Sequence, residues 1–147
     1  MKTGLPVKQK GAAAIEFALV FGIFFAVFYG LISFSLPLLL MQSFNQAAAE
    51  AVRQAMAVDP VAAGSAYPTL VTQRAKDAVA AQLSWIPANF QFQPSFISAT
   101  YTGTTLTVTI KYPSSNLYSV FPALVVPGIG TVPNLPTNLS ASSSLQF

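Results

Sequence analysis

The stretch KGAAAIEFALVFGIFFAVFYGLISFSLPLLLM, residues 10–41, decides how the rest of the chain is read. The 25 positions from Phe17 to Met41 include 20 apolar residues, and no charge occurs from Phe17 through Ala49. About 20 helical residues cross ~30 Å of hydrocarbon, each rising about 1.5 Å. The run therefore spans a membrane with room for tilt. A buried core helix is the competing reading, but a run of this length falls in the membrane range. A removable secretory signal is another, since Ala47-Ala48-Ala49 imitates a small-residue cleavage site. The apolar core of such a signal is only ~7–15 residues, however, and a carboxylate, Glu16, stands at the mouth of this run. Lys2, Lys8 and Lys10 precede the run; Arg53 follows it, in company with Glu50 and Asp59. Basic residues stay in the cytoplasm, so Met1 is expected there and the chain after about Gln42 outside. In a bacterium this places the protein in the inner membrane as a single-pass chain with a periplasmic C-terminal domain.

Composition agrees with an anchored chain. Only 7% of the 147 residues are charged, against about 25% in a soluble domain. The net charge of +3 is gathered at one end and forms no basic face, which speaks against nucleic acid. With no Cys and no His, disulfides, Cys- or His-based metal sites and a Ser-His triad are excluded. The carboxylates are Glu16, Glu50, Asp59 and Asp77. They form no acid pair, and no phosphate-cradling glycine loop accompanies them. No enzyme, cofactor or metal is expected.

Lys10-Gly11-Ala12-Ala13-Ala14-Ile15-Glu16-Phe17 carries the most specific information. A basic residue, a glycine, three alanines and one glutamate lead directly into the span. This resembles the type IV pilin and pseudopilin signal, in which a prepilin peptidase cuts after the glycine on the cytoplasmic side. The resemblance implies a processing site at Lys10, Gly11 and Ala12, with Glu16 becoming the fifth residue of the product. It also implies that Glu16 sets subunit register by pairing with a neighbour's N-terminal amine. A carboxylate in a bilayer span is costly unless paired, most at the centre and less at the edge, and cutting would create such an amine. The stretch Gly11-Ala12-Ala13-Ala14-Ile15-Glu16-Phe17-Ala18-Leu19-Val20 is similar to the opening of the TadE-like family, minor pseudopilins of the tight-adherence (Flp-type) pilus. The alanine-rich segment 42–55 and the block Leu106-Thr107-Val108-Thr109-Ile110-Lys111-Tyr112-Pro113 resemble its later parts. Gly22 stands where the family often has Pro, and Ser33 and Leu36 stand where it often has Glu and Arg. The partners so implied are the prepilin peptidase, other pseudopilins, pilus-assembly platform proteins with their ATPase, and inner-membrane lipid.

Beyond the span, residues 42–58 continue as an amphipathic helix. Phe44, Ala47, Ala48, Ala51, Val52 and Ala55 fall on one face of a 3.6-residue period. That face packs on the chain's own domain, on a neighbouring subunit, or on both. Pro37 is expected to kink the span, and Asp59-Pro60 to end the rod at Val58. A small-residue loop follows over 60–68. A second helix is expected over 69–84, with Val71, Ala75, Ala78, Val79, Leu83 and Ile86 inward and Arg74, Lys76 and Asp77 outward. Trp85 reads as a core residue more than a membrane-interface one. Strands are expected over 97–101 and 106–112, joined by a type II′ turn at Gly103-Thr104. The register pairs Tyr101 with Leu106, Ala99 with Val108 and Ile97 with Ile110 on one face, which lies on the long helix. Residues 113–136, with five prolines, read as a long apolar connection buried against the small domain, with a subunit-docking surface as the alternative; 139–147 read as a third strand. Asn138-Leu139-Ser140 fits a glycosylation sequon of low specificity.

The expected architecture is a membrane-anchored, pilin-like α+β protein with a long N-terminal helix, a short second helix and a small antiparallel sheet. Its divisions are a leader (1–11), a transmembrane helix (12–41), the extracytoplasmic continuation (42–58) and a periplasmic domain (59–147). The function so read is a minor pseudopilin-like subunit in assembly of a tight-adherence pilus. The alternatives are an uncleaved single-pass anchor presenting a periplasmic binding domain and, more remotely, a major pilin.

Overall fold

The computed structural model describes residues 10–126, 128 and 130–146. The expected leader, with Lys2 and Lys8, falls outside the described residues up to position 9, as does the last residue of the third strand. One helix, α1 (Lys10–Ala55), runs 46 residues without a break, about 70 Å at ~1.5 Å per residue. It has two regimes. From Gly11 through Phe28 every residue is exposed. From there on Ser33, Pro37, Leu40, Phe44, Ala47, Ala48, Ala51, Val52 and Ala55 are buried, at steps of mostly four and three that hold one stripe toward a partner. The α-helix ends at Ala55, short of the expected Val58. Ala57 N–H donates to the Gln54 carbonyl and Val58 N–H to that of Ala55, both at 3.2 Å, so the last turn has tightened to i→i+3 bonding.

The expected loop over 60–68 is instead a helical turn, α2 (Pro60–Ala63), followed by a 3₁₀ turn at Gly64–Ala66. Asp59 caps α2: its Oδ1 accepts from Val61 N–H at 2.8 Å and Ala62 N–H at 3.3 Å. Asp-Pro thus starts a helix as well as stopping one, because proline is tolerated where the first N–H has no intrahelical partner. α3 (Tyr67–Gln82) begins two residues before the expected helix and ends two before its expected end, with Pro68 in its first turn. Val71, Ala75, Ala78, Val79 and Leu83 are buried, but Trp85 is 50% exposed. The core position is taken by Leu83 in the turn leaving α3, which throws Trp85 outward; the core reading of Trp85 is corrected accordingly.

Strands β1 (Ile97–Tyr101), β2 (Thr105–Pro113) and β5 (Asn138–Gln146) form an antiparallel sheet in the order β1-β2-β5. Ile97 pairs with Ile110, Ala99 with Val108 and Tyr101 with Leu106, the register that alternation required. At the turn, Thr102 N–H donates to Thr105 O at 3.0 Å. Gly103 has φ +90° while Thr104 is not in the positive region, the combination of a type II′ turn. β5 covers the other edge of β2 from Thr105↔Gln146 to Pro113↔Asn138. The long helix lies over β5 and β2, and α3 over β1.

Between the two layers, Phe44 is fully buried, its ring 5.8 Å from those of both Phe92 and Tyr112. The Tyr112 hydroxyl donates to the Phe90 carbonyl at 2.8 Å, and burial pushes its pKa up to about 12.

Residues 113–136 are not the structureless connection expected. They hold α4 (Ser114–Val120) and a two-stranded ribbon, β3 (Leu124–Val126) with β4 (Gly130–Val132). Proline carbonyls organise this region. Ser114 Oγ donates to the Pro136 carbonyl, and the Tyr118 hydroxyl donates to the Pro133 carbonyl at 3.0 Å while accepting from Leu135 N–H at 3.3 Å. A proline removes a donor from the backbone but leaves an acceptor, and the neighbouring hydroxyls use it.

Candidate functional site

The feature that separates this chain from a soluble α+β domain is the exposed first half of α1. A core helix of such apolarity would be covered, yet only 6% of its most apolar window is buried. Ile15, Phe17, Leu19, Phe24 and Leu31 are each more than 60% exposed. A bare apolar rod of this kind is stable in lipid or against other rods; length and composition suffice to cross a membrane, which suggests membrane anchoring. Along it a row of aromatic rings stacks at i,i+4 spacing. Phe17 lies 5.9 Å from Phe21, Phe21 6.4 Å from Phe25, and Phe25 6.3 Å from Tyr29. The spacing of these rings is plain in the sequence, but only the continuous helix lines them up.

Lys10, Gly11 and Ala12 open α1, and Glu16 follows about 7.5 Å along the axis from Gly11. Glu16 is exposed. Among the described residues the one ion pair lies far from it, between Arg53 and Glu50 at 2.6 Å. Gly11 is helical, and a Cβ built there would meet nothing within 4 Å. Among the described residues nothing calls for glycine at this position. Phe17 and Met41 bound the apolar run as read from composition, but they differ in surroundings: Phe17 is 69% exposed and Met41 is half-buried against the core.

Phe44, Ala48, Ala51, Val52 and Ala55 are brought together under the sheet and α3, each 3% exposed or less. The chain's own domain therefore occupies this face. Pro37 belongs to the same stripe. Opposite to it, Glu50 accepts from both Arg53 nitrogens, at 2.6 and 2.8 Å, and from Gln54 at 2.8 Å. These bonds, Arg53 first, hold its carboxyl down to about 2, and Glu50 in turn raises the Arg53 guanidinium.

The domain also reaches below Gln42, the first residue after the expected span. The Tyr29 hydroxyl donates to the Pro122 carbonyl at 2.7 Å, and its ring stacks on Phe121 at 5.6 Å. Phe34, Pro37, Leu38 and Met41 line an apolar groove of about 390 Å³ with Leu135, Pro136 and Leu139. Sequence reasoning missed this cladding. The available signal was the step Ser33, Pro37, Leu40, Phe44, which continues the packing stripe back into the apolar run and is hidden there because its neighbours are apolar as well.

Comparison with known proteins bears on the helix alone. Residues 11–53 match the family model described as TadE-like protein. The match begins at Gly11 and ends two residues before α1 does, so the chain carries a TadE-like segment, which suggests involvement in the tight-adherence pilus system. No curated protein and no solved structure matches the chain.

Proposed function

We propose that this chain is a minor pseudopilin-like subunit acting in the assembly of a tight-adherence pilus. It is held in the bacterial inner membrane by the first half of α1, with its N-terminus cytoplasmic and its α+β domain periplasmic. A prepilin peptidase cuts it between Gly11 and Ala12, and the span stays attached to the product. The observation that carries the reading is the pairing of a fully exposed apolar rod with a single charge. From Gly11 through Ala49 the helix has Glu16 and no other Asp, Glu, Lys or Arg, and the residues three and four away on its own helix, Ala12, Ala13, Leu19 and Val20, carry no charge. The amine created at Ala12 of an adjacent subunit supplies the missing charge and fixes the axial offset of neighbouring rods, while shape packing of the exposed apolar faces supplies adhesion. Other pseudopilins and the assembly platform are the partners of such a subunit, and its role is structural.

The test is the mature N-terminus. Intact-mass and N-terminal analysis of the protein from its native membranes is expected to find Ala12 first, and Gly11→Phe to retain the leader with the domain's melting unchanged. A native product still carrying residues 1–11, in cells whose pili form normally with Gly11→Phe, refutes the proposal and favours an uncleaved anchor presenting a periplasmic domain.

A further inference from the structure

We propose that the β3–β4 ribbon and its Phe121-Pro122 root form a second membrane-contacting element, seated in the outer lipid leaflet beside the span. The proposal rests on the membrane reading of α1 and adds to it. The ribbon's root is pinned to Tyr29 by the 2.7 Å bond to Pro122 and by the ring of Phe121. If the hydrocarbon begins at Phe17, Tyr29 lies about 18 Å into a slab of ~30 Å. If it begins at Gly11, Tyr29 lies about 27 Å in, at the outer boundary. Both placements put the root at or below the lipid surface, and helix tilt only lowers it.

The chemistry of the segment suits that depth. No Asp, Glu, Lys or Arg occurs from Tyr112 to Phe147. Val125 is 76% exposed and Leu124 41%. On α1 just below Tyr29, Phe25 and Phe28 are likewise apolar and exposed, at 51% and 50%. Irregular backbone in lipid is costly because unpaired N–H groups find no water. Here Pro122 and Pro133 carry no N–H, and Leu124↔Val132, Val125↔Thr131 and Val126↔Gly130 pair within the ribbon. The occupant of this surface is therefore lipid, contiguous with the lipid around the helix, in preference to a second copy of the chain.

The chain has no cysteine, so single nitroxide labels are unambiguous. Full-length Val125→Cys, Leu19→Cys and Ser144→Cys proteins are labelled and reconstituted in phosphatidylethanolamine–phosphatidylglycerol vesicles. Collision with oxygen, which concentrates in lipid, is compared with collision with a water-soluble nickel chelate. Leu19 and Ser144 are exposed and serve as the lipid and water references. The expected result is a Val125 label that favours oxygen as the Leu19 label does. A Val125 label that behaves like Ser144 while Leu19 reports lipid overturns the ribbon's immersion and leaves the anchor standing. A Val125 label shielded from both reagents also overturns it, since protein then covers the ribbon. A Leu19 label open to the chelate removes the membrane reading and this inference together.

Discussion

Phe44→Ala tests whether the domain is built around the helix or merely tethered to it. Phe44 is the largest α1 side chain with no exposed surface, and it meets Phe92 and Tyr112 at 5.8 Å each. Truncating a buried phenylalanine costs about 3–5 kcal/mol, the transfer term plus the cavity left behind. Set against a total stability of ~5–15 kcal/mol, that is a large fraction. A domain of fewer than about 100 residues shifts ~4–8 °C per kcal/mol, so the melting temperature should fall by at least ~12 °C. The assay is thermal unfolding of the detergent-solubilised full chain, followed by near-ultraviolet circular dichroism and by the fluorescence of Trp85, the one tryptophan.

Phe24→Ala on the same helix is the internal control. Phe24 is 63% exposed and touches only the Phe28 ring, at 5.9 Å, among the ring contacts described. An exposed i,i+4 pair contributes ~0.2–0.5 kcal/mol, and its loss should move the domain's transition by no more than ~4 °C. Equal shifts in the two variants, or a drop of under ~4 °C for Phe44→Ala, refute the seating of the sheet on α1.

Two further outcomes follow from local geometry. Gly103→Ala forces an L-residue to φ +90° at the β1–β2 turn, costing ~1–2 kcal/mol in urea unfolding, whereas Gly22→Ala, helical and in open space, should cost the fold nothing. Glu50 has a folded pKa of about 2 against an ordinary 4.5, so its pairing with Arg53 is fully stabilising above pH 4.5 and is lost as pH falls through 2; Glu50→Gln should flatten the melting-temperature profile across that window, with only a small effect at pH 7 because the pair is exposed and screened.

The sequence made the β1–β2 hairpin legible to the residue because two independent signals coincide there. Alternation fixes which side chains share a face, and Gly103 fixes where the chain reverses, so a one-residue slip would violate both. The Phe44-to-Ala55 stripe was legible for a similar reason: polar residues such as Asn45, Gln46 and Arg53 mark its edges. In the apolar run no polar edge exists, so Ser33, Pro37 and Leu40 could not be recognised as its continuation. Asp59-Pro60 reads in sequence as a stop, although the same pair caps α2, because capping depends on where the following N–H groups point. In 113–136 the prolines masked α4 and the ribbon. Their hydroxyl partners, Ser114 and Tyr118, sit 15 to 22 residues away along the chain, beyond the reach of any local pattern. The Gly11-to-Glu16 segment is the reverse case: its pattern stands out in sequence, while among the described residues no contact calls for Gly11 and no ion pair involves Glu16.

Cladding of the upper helix changes what the glutamate must withstand. Composition alone places the lipid slab over 17–41 and leaves Glu16 at its rim, where a carboxylate is cheap. The domain, however, grips α1 from Tyr29 onward, and the wholly bare stretch is 11–28. The α+β fold above, with its polar strand faces, resists being drawn into hydrocarbon, so on the proposed reading the slab moves toward the N-terminus. A hydrocarbon boundary at Gly11 then puts Glu16 about 7.5 Å inside, where an unpaired carboxylate is costly by up to a few kcal/mol. The farther the domain reaches down the helix, the more strongly Glu16 favours a neighbour's amine over solvent. Domain height and subunit register are on this account one coupled quantity, set by how far the polar-faced sheet, and not the apolar ribbon, extends down α1.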